Sequence, residues 1–185
     1  MQILILGNEG LRQKALPVKK IGAEYQKIAE ELLNALHEGE GVGLAAPQVG
    51  LPERIFAIHV QGDVPRIFIN PSIIETSQET MKYEEGCLSI PGIYTDVIRP
   101  KAVKIQAWNE KGRPFTLEAS GILARVILHE YDHLDGILFI DRVSEQKRNR
   151  IIARFEKAEA KRTKAGAKAG ANSRRNKSVE SLSPQ

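Results

Sequence analysis

Cysteine is nearly absent from this sequence of 185 residues, which contains a single one, Cys87. One cysteine excludes an intramolecular disulfide framework and is typical of a reducing compartment. The N-terminal segment lacks the basic start and the longer apolar run of a secretory signal peptide. No stretch reaches the roughly 18 apolar residues that cross a bilayer. We therefore expect a cytoplasmic protein without membrane association.

Acidic residues are scarce at the C-terminal end of the chain. Residues 147–185 contain 12 Lys and Arg against 3 acidic residues, whereas residues 1–146 contain 15 basic and 20 acidic ones. The basic charge therefore belongs to the end of the sequence. Such an asymmetry is typical of a segment that binds a polyanion such as RNA. The alternative is a solvated helix followed by a solubilising end.

The pattern of apolar residues predicts a body of mixed helices and strands. Helical spacing predicts one helix over 24–37 and a second, strongly apolar one from residue 122 onward. Strands are predicted over 54–60, 65–69, 103–108 and 114–119, the last two as a hairpin. Asn70-Pro71 is expected to end the second strand. The domains we predict are a catalytic body over 1–146, a basic helix over 147–164 and a disordered tail over 165–185.

The second helix contains two histidines, His129 and His133, four residues apart. On a helix this spacing places both imidazoles on one face, where they can bind one metal ion. Glu130, between them, is then placed to take a proton from a water on that metal. A catalytic site of this type needs a third protein ligand, for which Cys87 is the candidate. Each signal alone also fits an ordinary helix or a buried thiol, so the prediction depends on their combination.

A glycine-rich loop, Gly-Val-Gly-Leu-Ala-Ala-Pro-Gln at residues 41–48, is the third informative segment. Gly41 and Gly43 allow a bound chain to approach the backbone closely. Gln48 supplies a neutral amide donor of the kind that stabilises an oxyanion. Taken alone, this Gly-x-Gly pair is also explained by an ordinary turn.

The glycine-rich loop, Glu-Gly-Cys-Leu-Ser at residues 85–89 and His-Glu-Tyr-Asp-His at residues 129–133 occur together and in this order. In this combination they resemble peptide deformylase, and the similarity extends over roughly residues 3–145. The resemblance implies removal of the N-formyl group from the N-terminal formylmethionine of nascent polypeptides. It also implies one divalent metal ion held by Cys87, His129 and His133. Fe(2+) is the first expectation, with Ni, Co or Zn as alternatives.

The same resemblance implies roles for residues around the metal. A water on the metal is expected to attack the formyl carbon with Glu130 as base, while Gln48 and the Leu88 backbone N–H stabilise the oxyanion. The substrate is expected to contact eight residues: Val42, Gly43, Leu44, Tyr83, Glu85, Ile122, Arg125 and Val126. Arg125 departs from the family pattern, in which an aliphatic residue is common. Its alkyl stem is expected to cover the pocket with its charge in water, or else to alter the side-chain preference.

The sequence also leads to expectations about contacts near the metal, the fold and the binding partners. Asp132 is expected to orient a ligand or to pair with Arg99. The implied fold is α+β, with antiparallel sheets around a central metal-binding helix and a C-terminal helix. The basic C-terminal region is expected to contact the ribosome. Two alternatives remain: an endopeptidase, disfavoured by the cysteine ligand, and a non-catalytic ribosome-associated protein, disfavoured by an intact Glu130 and Gln48.

Overall fold

The computed structural model describes the backbone of residues 1–180 and the side chains of residues 1–163. The chain forms two compact units, Met1–Val143 and Ser144–Gln185. Within the described residues, no helix combines the length and the apolar character needed to span a membrane. The helices and strands are α1 Glu24–Glu38, β1 Gly43–Ala45, β2 Ile55–Ile58, β3 Arg66–Thr76, β4 Thr80–Cys87, β5 Ile90–Pro100, β6 Ala102–Trp108, β7 Pro114–Ser120, α2 Gly121–Leu134 and α3 Glu145–Glu180.

A five-stranded antiparallel sheet forms the centre of the first unit, in the order β1-β2-β3-β6-β7. The predicted hairpin between β6 and β7 is confirmed, with Trp108 opposite Pro114. Its turn is held by Asn109, whose side-chain oxygen accepts hydrogen bonds from the backbone N–H groups of Lys111 and Arg113, each at 3.0 Å. An asparagine oxygen commonly stabilises a turn in this way.

Strand β3 is longer than predicted, and the expectation that Asn70-Pro71 ends it is wrong. The strand continues to Thr76, and its pairing with β6 shifts register between Ile69 and Ser72. Asn70 adopts a left-handed conformation, with φ of 49°, which asparagine tolerates better than most residues. A bulge also accommodates the missing N–H of Pro71. The strand therefore bends at this pair instead of ending.

The hairpin of β4 and β5 was not predicted from the sequence. These strands pair only with each other among the described residues, and they form a second, two-stranded sheet. Along β5 the buried positions include polar Thr95 and Arg99, while apolar Tyr94 and Ile98 are exposed. The usual alternation of apolar and polar residues is therefore inverted at several positions, which hides the strand from pattern analysis.

Helices α1 and α2 cover opposite faces of the central sheet. Phe56 and Ile58 of β2 belong to the apolar cluster that includes α2, whereas Ile55 and Ala57 belong to the cluster that includes α1. This alternation follows from the two-residue period of a strand. Helix α2 contacts strands of the five-stranded sheet and also β5 of the hairpin. The predicted α+β architecture, with antiparallel sheets around a central helix, is confirmed.

The second unit contains α3, which is described from Glu145 to Glu180. The predicted helix covered 147–164, followed by a disordered tail over 165–185. The helical backbone thus extends into the segment predicted to be disordered, where the frequent Ala, Lys and Arg residues have high helix propensity. Residues 181–185 lie outside the described part of the chain. The division at 146 and 164 stays a prediction.

Candidate metal centre and substrate cleft

Two histidine side chains meet on the buried face of α2. The helix begins after Ser120, whose backbone is extended, and its apolar residues keep it inside the unit. His129 and His133 are 8% and 1% exposed, and their ring centroids lie 5.1 Å apart. Both imidazoles therefore lie on one interior face of α2, as the spacing predicted.

Cys87 joins these histidines from the end of β4. One donor atom from each of Cys87, His129 and His133 lies within 4.8 Å of the other two. Cys87 Sγ is 3.3 Å from His133 Nε2. A thiolate and two imidazoles are a donor set that binds divalent transition metals and leaves a fourth position open. Among the described residues this is the one group of three such side chains that could hold a metal ion.

The electrostatic surroundings of the two histidines differ. Burial acts to lower the pKa of His129, but hydrogen bonds to Cys87 and Glu85 outweigh it and raise the pKa to about 10. Burial, together with the nearby charge of His129, holds the pKa of His133 well below its ordinary value. These surroundings thus favour the neutral form of the His133 imidazole.

Glu130 lies at the wall of the cleft with little room to move. It is 3% exposed, and burial raises the pKa of its carboxyl group to about 7. Within residues 1–163, its Oε2 atom has no hydrogen-bond partner. Gly43 provides the space for this carboxyl group, because a β carbon on Gly43 would lie 2.3 Å from Glu130 Oε1. A buried carboxyl with a raised pKa and a free oxygen is suited to exchange protons near neutral pH.

Gln48 is held by three contacts in the short 3₁₀ helix Ala46–Val49. Its side-chain oxygen accepts a hydrogen bond from the Ala45 backbone N–H at 2.8 Å. Its Nε2 donates to Ser89 Oγ at 3.1 Å and lies 3.3 Å from Cys87 Sγ. Ser89 is fully buried, and sequence reasoning missed it. Ser89 is the last residue of the Glu-Gly-Cys-Leu-Ser motif, which could have marked it as a candidate. Nothing in the sequence, however, indicated that its side chain faces Gln48.

Leu88 is anchored by two glycines that precede β1. A β carbon on Gly39 would lie 2.9 Å from Leu88 Cδ1, and one on Gly41 would lie 2.8 Å from the same atom. The Leu88 side chain therefore fills the space that these glycines leave empty. This packing holds the backbone after Cys87, including the Leu88 N–H group, against the end of α1.

A buried cluster of charged residues, Glu85, Arg99 and Asp132, contacts His129 at its Nδ1 atom. Glu85 Oε2 lies 2.9 Å from His129 Nδ1, and the same carboxylate accepts two hydrogen bonds from Arg99, at 2.6 and 2.9 Å. Burial acts to raise the pKa of Glu85, but the hydrogen bonds from His129 and Arg99 hold it well below its usual range. Arg99 also donates to Asp132 Oδ2 at 2.7 Å. The predicted pairing of Asp132 with Arg99 is therefore present.

The expectation that Arg125 keeps its charge in water is wrong. The residue is 4% exposed, and its Nη1 donates to Glu85 Oε1 at 2.6 Å and to the Val97 carbonyl at 3.1 Å. Its Nη2 donates to the Met81 carbonyl. The guanidinium carbon also lies 5.7 Å from the centre of the Tyr83 ring. Burial is tolerated because a carboxylate and two backbone carbonyls replace the hydration lost by the two terminal nitrogens, Nη1 and Nη2.

A cleft of about 460 Å³ lies beside these groups. Its walls include seven of the eight residues predicted to contact substrate, namely Val42, Gly43, Tyr83, Glu85, Ile122, Arg125 and Val126. Leu44 is the exception, since its side chain is fully buried in the cluster under α1. Gln48, Cys87, Leu88, His129 and Glu130 also line the cleft. Two of the three donors of the metal centre, Cys87 and His129, thus share one cavity with the predicted substrate wall.

Known proteins of the same kind share both the sequence and the fold. Residues 1–149 match the family described as polypeptide deformylase. A peptide deformylase of Rhizobium meliloti is 42% identical over 171 residues, which cover 90% of this chain and 97% of that protein. One from Treponema pallidum is 45% identical over 155 residues, covering 84% and 95%. The crystal structure of a peptide deformylase from Synechococcus elongatus in complex with actinonin has a TM-score of 0.79 and 40% identity, covering 83% of this chain and 86% of that one.

Proposed function

Because this chain belongs to the polypeptide deformylase family, we propose that its cleft removes the N-formyl group from the N-terminal formylmethionine of nascent polypeptides and releases formate. The observation that carries this proposal is the convergence of Cys87, His129 and His133 within 4.8 Å, beside the buried Glu130. The reaction is hydrolysis of a formamide, in which water adds to the formyl carbon and the carbon–nitrogen bond breaks.

The metal centre is the first part of the proposal. Cys87, His129 and His133 would hold one divalent ion, which supplies Lewis-acid activation of water when it is bound. The short distance between Cys87 Sγ and His133 Nε2, 3.3 Å, supports these atoms as ligands. Fe(2+) is proposed as the ion in the cell, with Ni, Co or Zn able to replace it. Elemental analysis of protein purified without oxygen tests the identity of the metal; iron below the content of another metal would contradict it.

Glu130 is proposed as the general base and then the general acid. It takes a proton from the attacking water and delivers it to the departing amine as the carbon–nitrogen bond breaks. The pKa of about 7 that burial gives this carboxyl suits both transfers near neutral pH. Its partnerless Oε2 atom leaves one oxygen available to the reaction.

Charge that develops on the formyl oxygen requires hydrogen-bond donors. We assign these to the Gln48 side-chain amide and the Leu88 backbone N–H. One N–H of Gln48 is directed to Ser89 Oγ, while the other faces Cys87 Sγ at 3.3 Å. The second N–H is the one proposed to bind the formyl oxygen, because a sulfur acceptor holds it weakly. Loss of such a donor typically lowers kcat by about 10²–10³-fold.

The substrate is proposed to bind as an extended peptide in the cleft. The backbone of Val42, Gly43 and Leu44 would pair with it, which assigns Leu44 a main-chain contact consistent with its buried side chain. Tyr83, Ile122 and Val126, with the stem of Arg125, would surround the methionine side chain. Glu85 supports this wall through its bond to Arg125. The apolar lining suits an unbranched thioether side chain.

Formate release from formyl-Met-Ala-Ser, measured with protein purified without oxygen, tests the activity. The expected products are formate and the free tripeptide in equal amounts. Actinonin, which the Synechococcus elongatus relative binds in its crystal structure, should inhibit the reaction. Cleavage of internal peptide bonds would instead indicate an endopeptidase. Peptide binding without formate release would indicate the non-catalytic, ribosome-associated alternative.

We also propose that the protein contacts the ribosome. A protein that does so would be located in the cytoplasm. The contact is supported by the net positive charge of α3, in which the described side chains up to residue 163 include five exposed basic ones: Arg150, Arg154, Lys157, Lys161 and Arg162. Basic residues that neutralise RNA phosphates release counterions, so binding should weaken steeply as salt rises.

Co-sedimentation with ribosomes across a salt series tests this contact. Replacing these five basic residues by Gln in the full chain should lower both the affinity and its salt dependence. The matched control replaces five exposed lysines of the first unit, Lys14, Lys19, Lys20, Lys27 and Lys111. Equal binding by both variants, or binding that does not respond to salt, would contradict the proposal.

A further inference from the structure

The donors of the metal centre come from two different elements. Cys87 ends β4 of the hairpin, whereas His129 and His133 belong to α2. The ligand set therefore depends on how firmly the hairpin and the helix are fixed to each other. Side chains that connect the two elements close to the ligands control this geometry, because a metal ion tolerates only small displacements of its donors.

One carboxylate on the hairpin contacts two residues of α2. Glu85 is two residues before Cys87 on β4, and its two oxygens are used differently. Oε1 accepts from Arg125 Nη1 at 2.6 Å, and Oε2 lies 2.9 Å from His129 Nδ1. Arg125 and His129 are one helical turn apart on α2. Glu85 thus bridges a charged residue and a metal-ligating residue of the same helix.

Arg125 also attaches the helix to both strands of the hairpin. Its guanidinium group donates to the Met81 carbonyl of β4 and to the Val97 carbonyl of β5, the latter at 3.1 Å. Arg99 holds the same carboxylate from β5, with two hydrogen bonds of 2.6 and 2.9 Å. The side chains of Glu85, Arg99 and Arg125 are each 5% exposed or less. Bonds of this kind, shielded from water and charge-assisted, are the strong ones.

From these contacts we propose that Arg125 is a positioning residue: through Glu85 it fixes the orientation of the His129 imidazole relative to Cys87. The inference rests on the proposed metal site. Arg125 touches no reacting atom. It acts indirectly, because it bonds the Glu85 carboxylate, which in turn bonds the His129 imidazole. Its positive charge therefore has a use that an aliphatic residue at this position would not supply.

The test compares two variants that each remove one arginine from the same charged cluster. Arg125→Met keeps an unbranched stem and removes the contact with Glu85. Arg142→Met is the matched control, since Arg142 pairs with Asp132 and is not bonded to Glu85. The readouts are the affinity of metal-free protein for Ni(2+), by competition with a chelator, and the visible spectrum of the cobalt-substituted protein.

Arg125→Met should bind Ni(2+) about 10-fold more weakly, the lower end of the effect of removing a group that supports a metal ligand. Its cobalt spectrum should shift, because the spectrum reports the geometry of the ligands. Arg142→Met should match the unaltered protein in both measurements. Unchanged affinity together with an unchanged spectrum in Arg125→Met would overturn the proposal.

A double-mutant cycle with Glu85→Gln tests the route through Glu85. If Arg125 acts through this carboxylate, Arg125→Met should weaken Ni(2+) binding much less in the Glu85→Gln background than in the unaltered protein. Equal losses in both backgrounds would refute that route. Arg125→Lys serves if Arg125→Met does not fold, since one ammonium can reach Glu85 and should give an intermediate affinity.

Separate outcomes distinguish loss of the proposed activity from loss of the positioning role of Arg125. If the unaltered protein binds Ni(2+) with the Arg125 dependence described above but releases no formate, the activity is wrong and the inference stands. If it releases formate while Arg125→Met retains full affinity and spectrum, only the inference is wrong.

Discussion

Gly43 and Glu130 share one space in the cleft: a β carbon on Gly43 would lie 2.3 Å from Glu130 Oε1. Gly43→Ala should therefore displace the carboxyl group and lower kcat for formate release by at least about 10-fold, because small misplacements of a catalytic group are costly. Gly22→Ala is the matched control. Its β carbon would lie 2.2 Å from Glu24 Oε2, but Glu24 is exposed and can rotate away. Similar losses in both variants would contradict the special role of Gly43.

Glu130→Gln should separate chemistry from metal binding. The amide keeps the size of the carboxyl but cannot accept a proton, so kcat should fall by about 10²–10⁴-fold, the usual contribution of a general base. The metal content, measured by elemental analysis, should stay that of the unaltered protein, since Glu130 is not one of the three converging donors. Undiminished turnover would exclude Glu130 as the base.

Ser89→Ala should weaken catalysis through Gln48. The Ser89 hydroxyl accepts one Gln48 N–H at 3.1 Å, so its removal leaves the amide free to rotate. We expect a smaller loss of kcat than the roughly 10²–10³-fold loss for Gln48→Ala. In the Gln48→Ala background, Ser89→Ala should have little further effect on kcat. An equal effect of Ser89→Ala with and without Gln48 would show that Ser89 acts elsewhere.

Tyr25 should make the stability of the protein pH-dependent in the alkaline range. Its hydroxyl donates to Glu53 Oε1 at 3.0 Å, and burial, with this bond, raises its pKa from 10.0 to about 12. The folded state keeps the phenolic proton more tightly than the unfolded state. The resulting stabilisation is complete below pH 10 and is lost as the pH rises toward 12. Urea unfolding at pH 9 and pH 11.5 should therefore show a steeper loss for the unaltered protein than for Tyr25→Phe.

Removal of the metal should lower the thermal midpoint of unfolding. A ligand that binds only the folded state stabilises it by about 4 kcal/mol at 1,000 times its dissociation constant. For a chain of this size each kcal/mol corresponds to roughly 2–4 °C in the midpoint. Calorimetry before and after chelation, with Ni(2+) added back, measures the shift. Cys87→Ser should show a reduced response to added Ni(2+), and a full response would argue against Cys87 as a ligand.

The elements that could be predicted from the sequence are those with regular apolar spacing. Helix α2 and the β6–β7 hairpin follow from such spacing, and His129 and His133 lie on one face because of the helical repeat. The β4–β5 hairpin escaped prediction because buried Arg99 and Thr95 occupy positions where a pattern expects apolar residues. Arg99 is buried because it bonds Glu85 and Asp132 beside the metal centre, so local pattern and function conflict at that position.

The residues proposed to bind the metal or to take part in the reaction could be predicted from the sequence. The buried contacts that hold these residues in place could not. Short motifs identify Cys87 and Glu130 because their chemistry depends on residue type and spacing. The burial of the Arg125 charge depends on Met81, Val97 and Glu85, which are separated from it by 28 to 44 residues along the chain. Only the tertiary fold brings those acceptors together, so the residue was wrongly expected to keep its charge in water.

The metal centre also bears on how long the folded protein survives. Cys87 and His133 are 46 residues apart in the chain, so a bound ion joins distant segments much as a covalent cross-link does. Opening of the hairpin away from α2 would have to break metal–ligand bonds before proteases could reach the interior. Loss of the ion should therefore shorten the proteolytic half-life of the protein, and metal supply would then set its abundance as well as its activity.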